Sequence, residues 1–285
     1  MIKNRDSLKA KASNLSNKTN IPNKYLIQSF MFEALLKRIS MSKYKNKFII
    51  KGGFLLSSIF GVNLRSTMDL DTTIKGLPLD RETITKVIND IISIDIGDNI
   101  KLELENIKDI RKEEIYSGFN VNLKAEFDGL RANLMIDITT GDVITYKEVE
   151  FKYNTLFDNE IINIMTYNYE TILAEKFESI ISRNIDNTRM KDYYDLYMFV
   201  NLKWDDINKD TLKKAIINTA KNRETLDYIN NASKYIELIS EDPRLKSLWN
   251  SYKSNYDYAK DIEFIDTINA IKVISGVIAK SEGNN

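Results

Sequence analysis

The sequence contains no cysteine and no histidine among its 285 residues. Without cysteine the chain forms neither disulfides nor thiolate metal sites, and it has no thiol nucleophile. Without histidine it lacks imidazole zinc ligands, Ser-His triads and the most common general base. Any catalysis must therefore use Asp, Glu, Lys, Tyr or a metal ion bound by oxygen ligands. Carboxylate ligands favour Mg²⁺ or Mn²⁺.

Long apolar runs are also missing. The sequence has no stretch of about 18 apolar residues, the length that would span a membrane. The N-terminal residues 1–24 are polar and lysine-rich, without the apolar segment of a signal peptide. We therefore expect a cytoplasmic protein with no membrane partner. Its composition, 43% hydrophobic and 29% charged, is typical of a folded globular chain, and its length suits two domains.

Charge is balanced overall, with 41 basic and 41 acidic residues, but it is unevenly distributed. Residues 1–51 contain 12 lysines and arginines against only two acids, Asp6 and Glu33. The stretch that follows, to residue 158, carries more acids than bases. The basic stretch is interpreted either as a solvated tail and helix face or as a contact surface for nucleic acid.

Hydrophobic periodicity divides the chain into two halves. In the first half, helical spacing is found over residues 22–40, 54–60 and 83–94, and strand-like patterns over 48–50, 65–74, 101–107, 118–127, 130–139 and 148–153. From about residue 160 the pattern is helical: 169–183, 191–200, 211–220 and on to 278. This predicts an α+β domain over residues 1–158 and an all-helical domain over 159–285, which closes an active-site cleft.

Asp69 and Asp71 are the first candidates for chemistry. On a strand, residues two apart share a face at about 6.5 Å, so both carboxylates would project together and could hold a divalent cation. Alone, such a pair also fits ordinary surface acids. Gly52 and Gly53 stand between a strand and a short helix, where their N–H groups could approach phosphate oxygens or simply form a turn.

A third acid often completes such a site. Asp137 fits this role because it is the single acid in the apolar strand predicted over 130–139, and a buried acid needs a partner. It could instead cap the turn that follows. Asp142 is the alternative third carboxylate.

Further candidates lie on the predicted helices of the second half. Lys176 and Arg183 are seven residues apart and share a face of the predicted helix next to its apolar face, so they could bind one polyanion or pair with nearby glutamates. Asp192 and Asp195 lie three apart and face together, and we expect one of them to be functional. Three tyrosines of the same helix are predicted in the core rather than as a surface that stacks on a base: Tyr193, Tyr194 and Tyr197.

Four motifs in this order resemble those of one known family. They are Lys51–Leu56 (KGGFLL), Arg65–Asp71 (RSTMDLD), Ala174–Phe177 (AEKF) and Lys191–Leu196 (KDYYDL), and they span about half of the chain. The combination resembles the AbiEii and MenT family. These are nucleotidyltransferase-like toxins of type IV toxin–antitoxin and phage-defence (abortive infection) systems, in the DNA polymerase β-type superfamily.

The resemblance implies a polymerase β-type domain with a mixed sheet, followed by a helical domain. It implies that Asp69 and Asp71 bind Mg²⁺ or Mn²⁺, and that the phosphates of an NTP contact Lys176. Asp192 or Asp195 would be a functional acid. The remaining candidate contacts to the nucleotide are Arg65, Thr67, which shares a strand face with Asp69, and the backbone of Gly52 and Gly53. The superfamily's usual Gly-Ser turn is Gly-Gly here, so its hydroxyl contact to phosphate is missing.

The implied activity is transfer of a nucleoside monophosphate to RNA, at the 3′ acceptor end of tRNA, which blocks translation and arrests growth. A cognate antitoxin is implied, and it need not bind the toxin. Two alternatives stay open. One is a toxin that binds GTP or RNA without transfer, which the basic stretch favours. The other is a haloacid-dehalogenase-like phosphatase, because Asp69–Thr73 also fits an Asp-x-Asp-x-Thr pattern.

Overall fold

The computed structural model describes residues 2–61, 69–110 and 118–279. The chain divides into two compact units: residues 1–142 with 148–167, and residues 143–147 with 168–285. The sequence placed the division after residue 158. The first unit extends further because one more strand joins its sheet.

Within the described residues, the first unit is a seven-stranded mixed sheet with helices packed against it. Its elements are α1 (Arg5–Thr19), α2 (Asn23–Met41), β1 (Phe48–Lys51), α3 (Gly52–Phe60), β2 (Asp69–Ile74), α4 (Arg81–Ile92), β3 (Ile100–Ile110), β4 (Gly118–Phe127), β5 (Leu130–Thr139), β6 (Val149–Asn154) and β7 (Ile161–Thr166). The strand order is β3-β4-β5-β2-β1-β7-β6, with β1–β7 and β2–β5 parallel and the other neighbours antiparallel. The predicted α+β class is confirmed.

The central strands alternate between a buried and a more open face. On β2, β4 and β5 the buried face includes the aliphatic side chains Leu70, Val121, Leu123, Leu134 and Ile136. Helix α2 packs against β5 and β7, and α4 packs against β3. Because side chains alternate along a strand, the residues between these aliphatic ones all point to the opposite face. That face carries the polar candidates.

A two-residue turn fixes how β4 and β5 pair. Asp128 and Gly129 have φ values of 46° and 78°, and Asp-Gly is a favoured pair where both central residues need positive φ. Phe127 consequently pairs with Leu130, and the same register sets Asn120 opposite Asp137. The turn thus determines which polar side chains meet seven residues away along each strand of the hairpin.

Two elements differ from the sequence prediction. Helix α1 lies where a polar tail was expected; it is capped by Asn4, whose Oδ1 accepts from Ser7 N at 2.9 Å, and only Leu8 and Ala12 are buried on it. Strand β7 lies where only helices were expected. Its buried positions alternate, but Ile161 and Met165 on the other face disguise the strand period.

The second unit is built from helices around a buried aromatic core. Its α-helices in the described residues are α5 (Tyr169–Arg183), α6 (Met190–Leu202), α7 (Lys209–Asn222), α8 (Leu226–Asn230), α9 (Ala232–Glu241), α10 (Pro243–Asn255) and α11 (Phe264–Ala279). Asn168 caps α5, since its Oδ1 accepts from Thr171 N at 2.8 Å, and its Nδ2 donates to Thr145 O at 2.9 Å. No helix among the described residues has the length and apolarity needed to cross a membrane.

Glu33 is a buried acid in the core of the first unit. Its Oε1 accepts from Tyr153 Oη at 2.9 Å and from Leu156 N at 2.7 Å. Burial raises the pKa of Glu33 from 4.5 to about 8, although both hydrogen bonds oppose the shift. The folded chain therefore keeps a proton on this carboxyl at pH values where the unfolded chain has lost it.

Because the folded state binds this extra proton, we expect the free energy of unfolding to fall as pH rises from about 5.5 to about 8, by up to about 3 kcal/mol. The folded state binds the extra proton throughout that window, so its stabilising effect is lost as pH rises toward the folded pKa. Denaturant unfolding at both pH values measures this change in the free energy of unfolding. Glu33→Gln keeps an oxygen acceptor for both bonds and should remove this part of the slope.

The absence of histidine makes the background for this measurement simple, since no imidazole titrates in the window. Glu126→Gln is the control, because Glu126 forms an exposed pair with Arg131. It should keep the wild-type pH dependence. An equal slope in Glu33→Gln and the wild type would contradict the assignment.

Candidate active site

Strand β2 carries the predicted acidic pair on the open face of the sheet. Asp69 and Asp71 are both half-buried, whereas Leu70 between them is fully buried on the opposite face. The alternation of β2 therefore brings the two carboxylates to one side of the sheet, as the i, i+2 spacing predicts.

The parallel strand β5 adds the third acid to this face. In the register of β2 and β5, Asp71 pairs with Asp137 and Asp69 pairs with Met135. Asp137 Oδ1 accepts a hydrogen bond from Asn120 Nδ2 on β4 at 2.7 Å. Residues paired in register project to the same side, so three carboxylates share one region of the sheet.

Asp142, the alternative third acid, is held elsewhere. Its Oδ2 lies 2.5 Å from Lys51 Nζ and accepts from Thr139 Oγ1 at 2.9 Å. Burial opposes ionisation of Asp142, but Lys51 and the Thr139 hydroxyl together hold the pKa of its carboxyl below the usual value of 3.8. The negative charge of Asp142 is thus already offset by the half-buried Lys51 ammonium, and Asp137 is the better third acid.

The Gly52-Gly53 turn faces Asp71. Gly52 has a φ of +65°, and a Cβ placed there would lie 1.9 Å from Asp71 Oδ2. The N–H of Gly53, in the first turn of α3, donates to the same oxygen at 3.3 Å. The glycines therefore give room to the carboxylate, which benefits from the positive end of the helix dipole. A contact with phosphate stays a prediction.

The set of donors fits a small divalent cation. Among the residues that the structure describes, no three acids come close enough together to enclose a metal ion. Mg²⁺, however, is commonly bound by one or two carboxylates together with substrate phosphates and water. Asp69 and Asp71 offer such a pair of hard oxygen ligands.

The second unit holds the other predicted group. Lys176 Nζ lies 2.7 Å from Asp192 Oδ1 and 2.7 Å from Asp195 Oδ2, and both acids are buried. Arg189 Nε lies 3.2 Å from Asp192 Oδ2. The two aspartates thus hold one ammonium group between them. The sequence predicted one functional acid, either Asp192 or Asp195, whereas in the structure both acids contact Lys176.

Other candidates have different surroundings. Arg65 and Thr67 lie outside the described residues, so their predicted phosphate contacts stay predictions. Tyr193 and Tyr194 are fully buried, in agreement with the core interpretation, and Tyr197 is half-buried.

The basic stretch of residues 1–51 is largely paired with acids of its own unit. Its ion pairs include Lys11–Asp158 at 3.1 Å, Lys37–Glu160 at 2.7 Å, Arg38–Asp98 at 2.7 Å, Lys43–Asp90 at 3.0 Å and Lys45–Glu150 at 2.8 Å. Cations that are paired in this way give little support to an extended nucleic-acid surface.

Two polar residues of this region were missed in the sequence. Lys51 lies in the motif but was given no role, and it pairs in register with Asp71. Asn120 contacts Asp137 only through strand pairing, so no local spacing identifies it. The alternating pattern of β4 was the one available signal, since it leaves Asn120 and Asn122 on the polar face.

The mixed sheet of the first unit and the helices that follow it have the fold of solved nucleotidyltransferases. MenT4, a nucleotidyltransferase toxin from Mycobacterium tuberculosis, aligns with a TM-score of 0.56 and 12% identity, over 95% of this chain and 98% of that chain. JHP933 from Helicobacter pylori aligns with a TM-score of 0.51 and 16% identity, over 92% of this chain and 96% of that chain. These identities establish a shared fold only.

Family membership comes from the sequence match. Residues 34–269 match the family described as nucleotidyl transferase AbiEii toxin, type IV TA system. The match spans most of the chain, so the protein belongs to this family, and the predicted resemblance is confirmed. The phosphatase alternative has no support from it. A search of curated proteins found no match.

Proposed function

We propose that this toxin transfers a nucleoside monophosphate from an NTP to the 3′ end of RNA, with the acceptor end of tRNA as its target. Such a product blocks translation and arrests growth, and an antitoxin relieves the arrest. The observation that carries the proposal is the placement of Asp69, Asp71 and Asp137 on one face of adjoining strands in a nucleotidyltransferase family.

Asp69 and Asp71 would hold Mg²⁺ or Mn²⁺. When bound, such an ion neutralises the charge of a triphosphate and polarises its α-phosphate. The chain's contribution is to fix the two carboxylates. The N–H of Gly53 holds Asp71 Oδ2, and the strand pairing of β2 with β1 and β5 holds the backbone of both residues.

Asp137 is suited to the proton transfer. The 3′ oxygen of the RNA forms a bond to the α-phosphorus, the bond from that phosphorus to the bridging oxygen breaks, and pyrophosphate leaves. The hydroxyl proton passes to the Asp137 carboxylate, whose Oδ1 is already occupied by the Asn120 amide. Oδ2 is therefore the atom that we assign as acceptor.

Lys176 is assigned to bind the phosphates of the nucleotide, because the family motif implies this contact. Asp192 and Asp195 restrict its ammonium to one position, because both carboxylates accept from it at 2.7 Å. We assign these two acids to orienting the lysine rather than to the reaction itself.

A labelling experiment tests the proposal. The protein is incubated with tRNA, Mg²⁺ and each of the four NTPs in turn, labelled at the α-phosphate. We expect the label to enter RNA and to be lost on trimming of the 3′ end. The same NTP labelled at the γ-phosphate should leave RNA unlabelled, because its label leaves with pyrophosphate.

The binding-only alternative predicts a different result. A toxin that sequesters GTP or RNA would give no labelled RNA with any NTP while still arresting cells that express it. That outcome would overturn the transfer proposal. Sequencing RNA 3′ ends before and after induction identifies the acceptor and the added nucleotide.

A further inference from the structure

A row of asparagines leads across the sheet to Asp137. Asn120 Nδ2 donates to Asp137 Oδ1 at 2.7 Å, and Asn122 Nδ2 donates both to Asn120 Oδ1 at 2.7 Å and to Asn106 Oδ1 at 3.0 Å. All four side chains are half-buried on the open face of β3, β4 and β5. We call Asn106, Asn122 and Asn120 the amide relay.

Strand geometry places these amides in contact. The β4–β5 register sets Asn120 opposite Asp137, and the β3–β4 register sets Asn106 opposite Asn122. The second pairing depends on an irregularity between Leu104 and Asn106, where β3 contains one additional residue. Bulges of this kind redirect side chains, and they are frequent beside active sites.

The relay has one hydrogen-bonding direction. An ionised carboxylate only accepts, so Asn120 must present its NH₂ group to Asp137 and its oxygen to Asn122. Asn122 then donates both of its N–H groups, one to each neighbouring amide. The carboxylate thus orients every amide, and the amides in turn restrict the rotation of the carboxylate.

A neutral donor suits an acid that must remain reactive. Asp142 shows the contrast, because Lys51 lies 2.5 Å from it and the pKa of Asp142 is lowered. An ammonium beside Asp137 would likewise lower the pKa of its carboxyl and make it a weaker base. An amide fixes one oxygen and leaves the negative charge in place.

We infer that the amide relay positions Asp137 for proton transfer, with Asn120 as its decisive member. The inference rests on the proposed function, because it assigns Asp137 Oδ2 to the RNA 3′ hydroxyl. Asn120 and Asn122 act through the carboxylate and are positioning residues. They need not contact the nucleotide.

Asn120→Leu removes the donor while keeping the side-chain size. We expect kcat for transfer to fall about 10- to 100-fold, as for other small displacements of a reacting group, with little change in KM for the NTP. Asn122→Leu should lower kcat by less than about tenfold, because Asn120 keeps its own bond to Asp137.

Asn120→Asp gives a signature that a structural role would not produce. Two carboxyl groups at this distance hold one proton between them at lower pH, and the protonated one then replaces the amide as donor. Transfer relative to wild type should therefore be greater near about pH 6 than near about pH 8.5. Asn133→Asp is the matched control: it adds the same charge to the same face of the sheet, on β5 and outside the relay, and should follow the wild-type profile.

A crystal structure of Asn120→Leu supplies a test that does not depend on activity. We expect the Asp137 carboxylate to leave its wild-type rotamer. An unchanged rotamer, or wild-type kcat in Asn120→Leu, overturns the inference even when the wild type transfers nucleotides. If the wild type transfers no nucleotide, the proposed function is overturned instead. A change of the Asp137 rotamer in Asn120→Leu would then still show that Asn120 positions this carboxylate, but not for nucleotide transfer.

Discussion

Replacing Asp71 by asparagine is expected to lower nucleotide transfer about a thousandfold, because charge stabilisation by a bound metal is worth several kcal/mol and each 1.4 kcal/mol is tenfold in rate. The amide has the shape of the carboxylate, and its oxygen still accepts the N–H of Gly53. It lacks the negative charge that a divalent cation requires. The fold should therefore survive while the reaction does not.

Asp69→Asn should show a loss of the same order, because the two residues share one face of β2. The measurement is kcat for labelling of RNA, together with the thermal midpoint of each variant. Asp109→Asn is the matched control, since Asp109 belongs to the same sheet and forms an exposed pair with Arg81. It should retain full activity. Labelling within tenfold of wild type in Asp71→Asn would remove this residue from the metal site.

Local sequence rules predict the carboxylate pair well. Asp69 and Asp71 share a face because side chains alternate along any strand, so i, i+2 spacing suffices once the strand is recognised. The burial of Tyr193 and Tyr194 follows equally from helical periodicity among apolar neighbours. Each of these features depends on residues that are close in the chain.

The partners of the acids depend on pairing between distant segments. Asn120 meets Asp137 because a turn at Asp128-Gly129 fixes one register, and Asn106 joins them because β3 contains an additional residue. A shift of one residue would turn every side chain of a strand to the other face. Composition and spacing alone do not determine that register.

The Lys176 cluster shows the same limit in the helical unit. Helical spacing indicated a shared surface with Arg183, yet the ammonium lies against two carboxylates of α6. Packing of α5 on α6 determines this contact, and each helix alone gives no sign of it. The Gly52-Gly53 turn was recognised in the sequence, but its close approach to Asp71 required the sheet register as well.

Gly52→Ala is the second change for which we expect a large effect. The φ of +65° costs an alanine about 1 kcal/mol or more. The new methyl group would also lie 1.9 Å from Asp71 Oδ2 and 2.5 Å from its Cγ, which no real contact permits. The Asp71 side chain must move, which would displace one of the two carboxylates proposed to bind the metal ion.

Gly97→Ala separates the two causes. Gly97 has a similar φ of +70°, but an added Cβ there meets no atom within 4 Å. Both variants should lose about 1 kcal/mol of unfolding free energy from backbone conformation. Only Gly52→Ala should lose transfer activity, by about a hundredfold, as expected when a catalytic group is displaced by about 1 Å. Equal kcat values in the two variants would show that Gly52 is needed only for the positive φ of the turn. A selective loss in Gly52→Ala would instead show that the missing side chain makes room for Asp71.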